Sequence, residues 1–169
     1  MSFDLGSLHL ASGEGKRLEL PVRIDPFQFG GQRYGPEASE DAVVLIDVAR
    51  TSGHGYSMRI RFETAVEGPC MRCLEGAHLA VEVDSREIHQ PGGGDDLTSP
   101  YVAEDELDIE GWVRDALALA LPTQIVCSDD CRGLCPVCGA NLNEAGAGHS
   151  HPEEPDTRWA KLSDLRFDT

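Results

Sequence analysis

The chain has 169 residues, 40% of them hydrophobic and 26% charged, with a formal charge of −16. That length suits one compact domain with at most a small appendage, and that apolar fraction excludes a disordered chain. The acidity, a net −5 over residues 1–90 and −11 over residues 91–169, argues against phosphate backbones and anionic lipid as direct partners; it suits basic partners, or simply keeps the protein soluble.

The opening stretch, MSFDLGSLHLASGEGKRLEL, lacks a basic leader followed by an apolar run, so no secretory signal is expected. No later stretch approaches the roughly 18 consecutive apolar residues of a membrane span. A cytoplasmic protein is therefore the expectation. In RLELPVRI, Leu18, Leu20, Val22 and Ile24 alternate with polar residues and Pro21, which predicts a strand with one wet face. Pro21 donates no ladder hydrogen bond and places that strand at an edge or a bulge. The turn-rich ASGEGK before it suggests a hairpin partner around Leu8 and Leu10. Residues 25–41 hold three glycines and two prolines and read as a long loop, with Phe27, Phe29 and Tyr34 as caps of a core edge.

AVVLIDVAR and SMRIRFETAVEG bracket the glycine-rich TSGHGY, the pattern of a hairpin. Arg59 and Arg61 fall on its exposed face, where pairing with acids is a plainer role than phosphate binding. HLAVEVDSREI alternates again through Leu79, Val81 and Val83, so PCMRC lies in the connection between two antiparallel strands. QPGGGDDLTSPYVAEDE reads as an acidic linker. Asp108 then caps an amphipathic helix whose face carries Ile109, Trp112, Val113, Ala116, Leu117 and Ala120 and which Pro122 stops. A short C-terminal helix is expected after Asp156, with Trp159, Leu162 and Leu165 on one side.

All six cysteines lie in PCMRC and CSDDCRGLCPVCGANLNEAGAGHSH. In a reducing cytosol, clustered thiols are metal ligands or catalysts more often than disulfides. Cys70-x2-Cys73 and Cys135-x2-Cys138 have the spacing of zinc knuckles, and Gly139 lets the second loop turn its N–H groups toward sulfur. Structural zinc takes four Cys or His ligands. The candidates are Cys70, Cys73, Cys127, Cys131, Cys135, Cys138, His149 and His151, which divide into two sets of four. The simplest partition gives Cys70, Cys73, Cys127 and Cys131 to one ion and Cys135, Cys138, His149 and His151 to another. A rival partition joins the two CxxC pairs around one ion. Two zinc ions are expected and one is the alternative. A closed four-ligand set argues against catalysis by the metal, neither pair opens a helix in a βαβ unit as redox motifs do, and no nucleophile or phosphate-loop motif is present. No enzymatic activity and no small-molecule substrate are expected.

GPCMRCLE, IEGWVRDALALALP, CSDDCRGLCPVCGANLNE and DTRWAKLSDL follow one another in a pattern that resembles the YceD family, also called domain of unknown function 177. The family's CxRC motif falls on Cys70, Arg72 and Cys73, its Leu-Pro on Leu121 and Pro122, and its Asp-x-Arg on Asp156 and Arg158. The resemblance implies a bacterial cytosolic protein linked to accumulation of large-subunit (23S) ribosomal RNA, with no known enzymatic activity. Related chains with the long cysteine-rich segment tend to end it in Cys-x-Cys where this one has His149-x-His151.

The resulting expectation is an α+β fold with a largely antiparallel sheet of five or six strands, one amphipathic helix, zinc-knuckle loops and a short C-terminal helix. Residues 1–126 form its β-rich body and residues 127–169 a Cys/His-rich segment, packed as one domain. The expected function is a non-enzymatic factor in the synthesis, processing or stability of large-subunit ribosomal RNA. It would work through a basic ribosomal protein or processing factor rather than naked RNA. The alternatives are a zinc-ribbon nucleic-acid-binding or transcription-associated module, which the acidic balance disfavours, and a thiol-based redox sensor.

Overall fold

A computed structural model describes residues 1–36, 41–146 and 148–152. It divides into two compact units, Met1–Cys131 and a second that begins at Arg132. The first unit holds β1 (Ser2–Asp4), β2 (Gly15–Val22), β3 (Phe27–Phe29), β4 (Gln32–Tyr34), β5 (Ala42–Arg50), β6 (Tyr56–Pro69), β7 (Gly76–His89), β8 (Val102–Ala103), β9 (Glu106–Asp108) and α1 (Ile109–Ala120). The largest sheet has the order β2-β5-β6-β7, antiparallel throughout. Among the described residues it is an α+β fold built on an antiparallel sheet and one helix, as the alternation and the 3.6-residue pattern of residues 109–120 predict.

Period-two alternation sends Val44, Ile46, Val48, Met58, Ile60, Phe62, Val66, Val81 and Val83 to one buried face. The helix covers that side: α1 packs on β7, with Ile109, Trp112, Val113, Ala116 and Leu117 all buried. Trp112 donates its Nε1–H to Ser85 Oγ at 3.0 Å, so the one polar atom of that indole keeps a partner inside. Asp108 caps the helix by accepting the Gly111 N–H at 3.1 Å. Pro21 lies in edge strand β2, as its missing donor requires. On the outer sheet face Arg59 Nε donates to Asp84 at 2.7 Å and Arg61 to Asp47 at 2.9 Å, so both arginines pair with acids.

Three local expectations change. No strand forms at Leu8 or Leu10; Gly6–Leu8 is a 3-10 turn. Asp4 closes it by accepting the Ser7 N–H at 3.3 Å, while Ser7 Oγ donates to the Asp4 carbonyl at 2.6 Å, and such local bonds outcompete a ladder. The strand that does form there is β1, which pairs with the distant β9. The loop over residues 25–41 contains the hairpin β3–β4, with Phe27 and Tyr34 buried. Gly68 permits this packing, since a β-carbon there would collide with the Tyr34 ring. The acidic linker carries a 3-10 turn at Asp95–Leu97 and the short strand β8, and β9 starts at its last residue. The helix expected after Asp156 lies outside the described residues.

Candidate metal centres

The β6–β7 hairpin ends in Cys70-Met71-Arg72-Cys73, so the two longest strands hold the first knuckle at their tip. Inside the knuckle the Leu74 N–H donates to the Cys70 carbonyl at 2.9 Å and the Cys70 N–H to the Glu75 carbonyl at 2.6 Å. The Arg72 N–H points at Cys70 Sγ, 3.4 Å away. The Met71 N–H donates to the Ile125 carbonyl at 2.8 Å, which brings the segment after α1 alongside. Cys127 and Cys131 thereby reach the same place: Cys70 and Cys131 sulfurs are 3.7 Å apart, Cys73 and Cys127 sulfurs 3.6 Å. These separations far exceed a disulfide bond of about 2.05 Å. A tetrahedral ion with metal–sulfur bonds of about 2.3 Å, the length zinc makes, sets its sulfurs about 3.8 Å apart.

The second unit repeats the knuckle. The Gly139 N–H donates to the Cys135 carbonyl at 2.8 Å and the Cys135 N–H to the Ala140 carbonyl at 2.8 Å. Gly139 has φ 73°, the left-handed conformation that closes the turn. Cys138 Sγ lies 3.5 Å from His149 Nε2, which lies 3.1 Å from His151 Nε2. In each group of four the donor atoms all lie within 4.8 Å of one another. The structure thus gathers the eight candidate residues as Cys70, Cys73, Cys127 and Cys131 in the first unit, and Cys135, Cys138, His149 and His151 in the second. The two CxxC pairs belong to different groups. Both groups have the donor types and spacing to hold a metal ion.

The sulfurs are electrostatically unequal. Burial pushes the Cys70 thiol up, but the N–H groups of Cys73, Arg72 and Cys127 outweigh it and bring it down to about 6. For Cys73 the N–H of Glu75 favours the thiolate, yet burial and the sulfurs of Cys70, Cys127 and Cys131 hold it up at about 12. Cys127 is raised as well, first by Cys131. In the second group the N–H of Cys138, then the His149 ring, bring Cys135 down to about 6. Cys70 and Cys135 are thus easily ionised, and for Cys73 and Cys127 ionisation meets resistance that a divalent cation would offset.

The sequence profile described as "Large ribosomal RNA subunit accumulation protein YceD" matches residues 58–166. The chain belongs to the YceD family. An uncharacterized protein of Mycobacterium tuberculosis is 38% identical over 104 residues, covering 58% of this chain and 49% of the relative. One from Mycobacterium leprae is 33% identical over 102 residues, 57% of this chain and 46% of the relative. The chain spans about half the length of these curated relatives. The chloroplastic "Large ribosomal RNA subunit accumulation protein YCED homolog 1" of Zea mays is 40% identical over 68 residues, 40% of this chain and 22% of that protein. No solved structure matches.

The YceD CxRC motif gains a physical account from Arg72. Its Nη1 donates to the carbonyls of Asp129 at 3.4 Å and Cys131 at 3.3 Å, and its Nε and Nη2 to Gln124 Oε1 at 3.3 and 3.2 Å. One guanidinium therefore ties the knuckle to the loop that carries the other two sulfurs, and it brings positive charge beside them. Gln124 had no signal in the sequence; its role appears only when the 52-residue separation from Arg72 closes.

Proposed function

We propose that this YceD protein is a non-enzymatic factor in the accumulation of large-subunit ribosomal RNA, held in shape by two zinc ions and acting through a basic protein partner. The name of the Zea mays relative gives it accumulation of the large ribosomal RNA subunit. Zinc suits both donor sets, one of four cysteines and one of two cysteines with two histidines, each with its donor atoms within 4.8 Å of one another. Each ion would have four protein ligands and no open position for a substrate or a catalytic water, the arrangement of a structural site. It would pin loops and do no chemistry.

The observation that carries the choice of partner is charge. With 14 basic residues against 30 acidic ones, the chain has few cations with which to displace counterions from RNA. Arg17, Arg59 and Arg61 of the outer sheet face are paired with Asp47 and Asp84. Zinc does not reverse this, since four thiolates around one divalent ion leave a local charge of about −2. A basic ribosomal protein or a processing factor with a basic face suits this surface. No helix among the described residues is long and apolar enough to cross a membrane.

The test is a pair of titrations near 0.15 M salt, about physiological ionic strength. Large-subunit RNA fragments should bind weakly, and a purified basic ribosomal protein tightly and with strong salt dependence. Tight binding of naked RNA by the protein alone would overturn the reading in favour of a nucleic-acid module.

A further inference from the structure

We propose that Leu74, with Met71 in the same turn, is the apolar anchor of a docking surface for a Lys/Arg-rich segment of a partner protein. The inference rests on the protein-partner reading above and assigns that partner a point of contact.

The two knuckles close with the same pair of backbone hydrogen bonds, so Leu74 and Gly139 occupy equivalent positions. Gly139 adopts φ 73° at no steric cost, whereas Leu74 is held at φ 65°, where its β-carbon crowds the backbone. The other non-glycine residues with positive φ among the described residues are His9, His54, Glu104 and Asp105, all polar. Leu74 gains little from the core in return, because 60% of it is exposed, and Met71 in the same turn is 38% exposed. Exposure alone would mean little, but strain at a solvent-facing apolar residue where glycine serves the fold better points to a contact made outside the folded chain.

The surroundings say what that contact is. Glu75 follows Leu74 directly. Asp129 and Asp130 lie in the adjoining ligand loop, whose Asp129 carbonyl is bonded to Arg72 of the same knuckle at 3.4 Å. All three acids are exposed. The one cation of the knuckle, Arg72, is engaged by Gln124 and two carbonyls. An apolar spot in a negative field complements a basic segment that carries one apolar side chain, and it repels RNA and acidic peptides.

The probe is a fluorescent Lys/Arg-rich peptide with one central Phe, compared with the same peptide bearing Ser there, titrated against the full chain by anisotropy. Leu74→Gly should weaken the Phe peptide about tenfold, the order expected from losing a buried aliphatic contact, and leave the Ser peptide unchanged. Leu74→Met should retain affinity, and Leu74→Asn should behave as Leu74→Gly. Thermal midpoint and metal content should stay at or above those of the parent in Leu74→Gly, which separates a binding role from a structural one. Equal affinity of parent and Leu74→Gly for the Phe peptide overturns the anchor and leaves the protein-partner reading standing. No binding of either peptide by the parent overturns the anchor too, and failure to bind a basic ribosomal protein as well removes the reading beneath it. A Leu74→Gly variant that loses metal or melts earlier assigns the residue to the fold and also overturns the proposal.

Discussion

Asp47 accepts from Arg17 Nε at 2.6 Å and from Arg61 Nη2 at 2.9 Å, so one carboxylate joins two arginines across three strands. The Arg17 hydrogen bond, opposed by some burial and assisted by Arg61, holds its carboxyl below the ordinary aspartate range. A carboxyl depressed in the folded state stabilises the protein above the unfolded value of about 3.9 and loses that contribution as pH falls through the lower folded value. Thermal melts of the parent should therefore fall away below about pH 4, and Asp47→Asn should flatten that part of the profile. At neutral pH the same substitution should cost no more than about 1 kcal/mol, since Asp47 is a third exposed and solvent screens the pair. An unchanged acid limb in Asp47→Asn would show that other carboxyls set it. Arg72 calls for the opposite test, because its bonds reach two backbone carbonyls and the neutral Gln124 amide rather than a charge. Arg72→Gln should lower the affinity of the first group for zinc by about tenfold or more, the usual effect of losing a group that orients the ligand loop. A competitive chelator titration reads this, with the second group as internal control.

Among the elements, the β6–β7 hairpin and the segment after α1 decide the first metal group, while the second is built from a single short stretch. Cys73→Ser should remove one of two bound ions, and Cys138→Ser the other; metal analysis of each variant checks it. One ion in the parent, lost entirely in Cys73→Ser, would restore the single-ribbon partition. The sequence made much of this legible. Alternation located β2, β5, β6 and β7, the 3.6-residue stripe located α1, and the arithmetic of eight ligands into two fours offered the grouping seen here beside a rival that joined the two CxxC pairs. The features it left hidden have identifiable causes. β1 pairs with β9 across more than a hundred residues, and a three-residue strand carries too little alternation to be read. The 3-10 turn at Gly6–Leu8 follows from side-chain bonds of Asp4 and Ser7 that compete with any ladder. Leu74 has the composition of a core residue, and only its backbone angle and exposure reveal otherwise.

For the whole molecule, the two groups differ in ways that predict their response to metal stress. In the first, Cys70, Cys73 and Cys131 are buried and Cys127 alone is exposed; in the second, Cys138 is exposed and both histidines are half-buried. Water and competing ligands reach the second group more readily. A mild chelator should strip one ion early without loss of far-UV signal from the sheet, and the second ion should leave only as that signal collapses. Simultaneous loss of both would contradict the difference in burial.

Synthesis of the chain proceeds from its amino terminus, and the first metal group spans that order. Cys70 and Cys73 meet partners 61 and 54 residues later. At elongation rates of roughly 5–20 residues per second, a delay of about 3–12 s separates the first knuckle from its remaining ligands. During that interval β6 and β7 can pair, but an ion captured by Cys70 and Cys73 has only half of its protein coordination. The nascent chain thus presents a two-thiol site to the cell before it presents a closed one. With zinc bound as proposed, metal supply at the moment of translation, rather than in the finished protein, is where this fold would be most exposed to shortage.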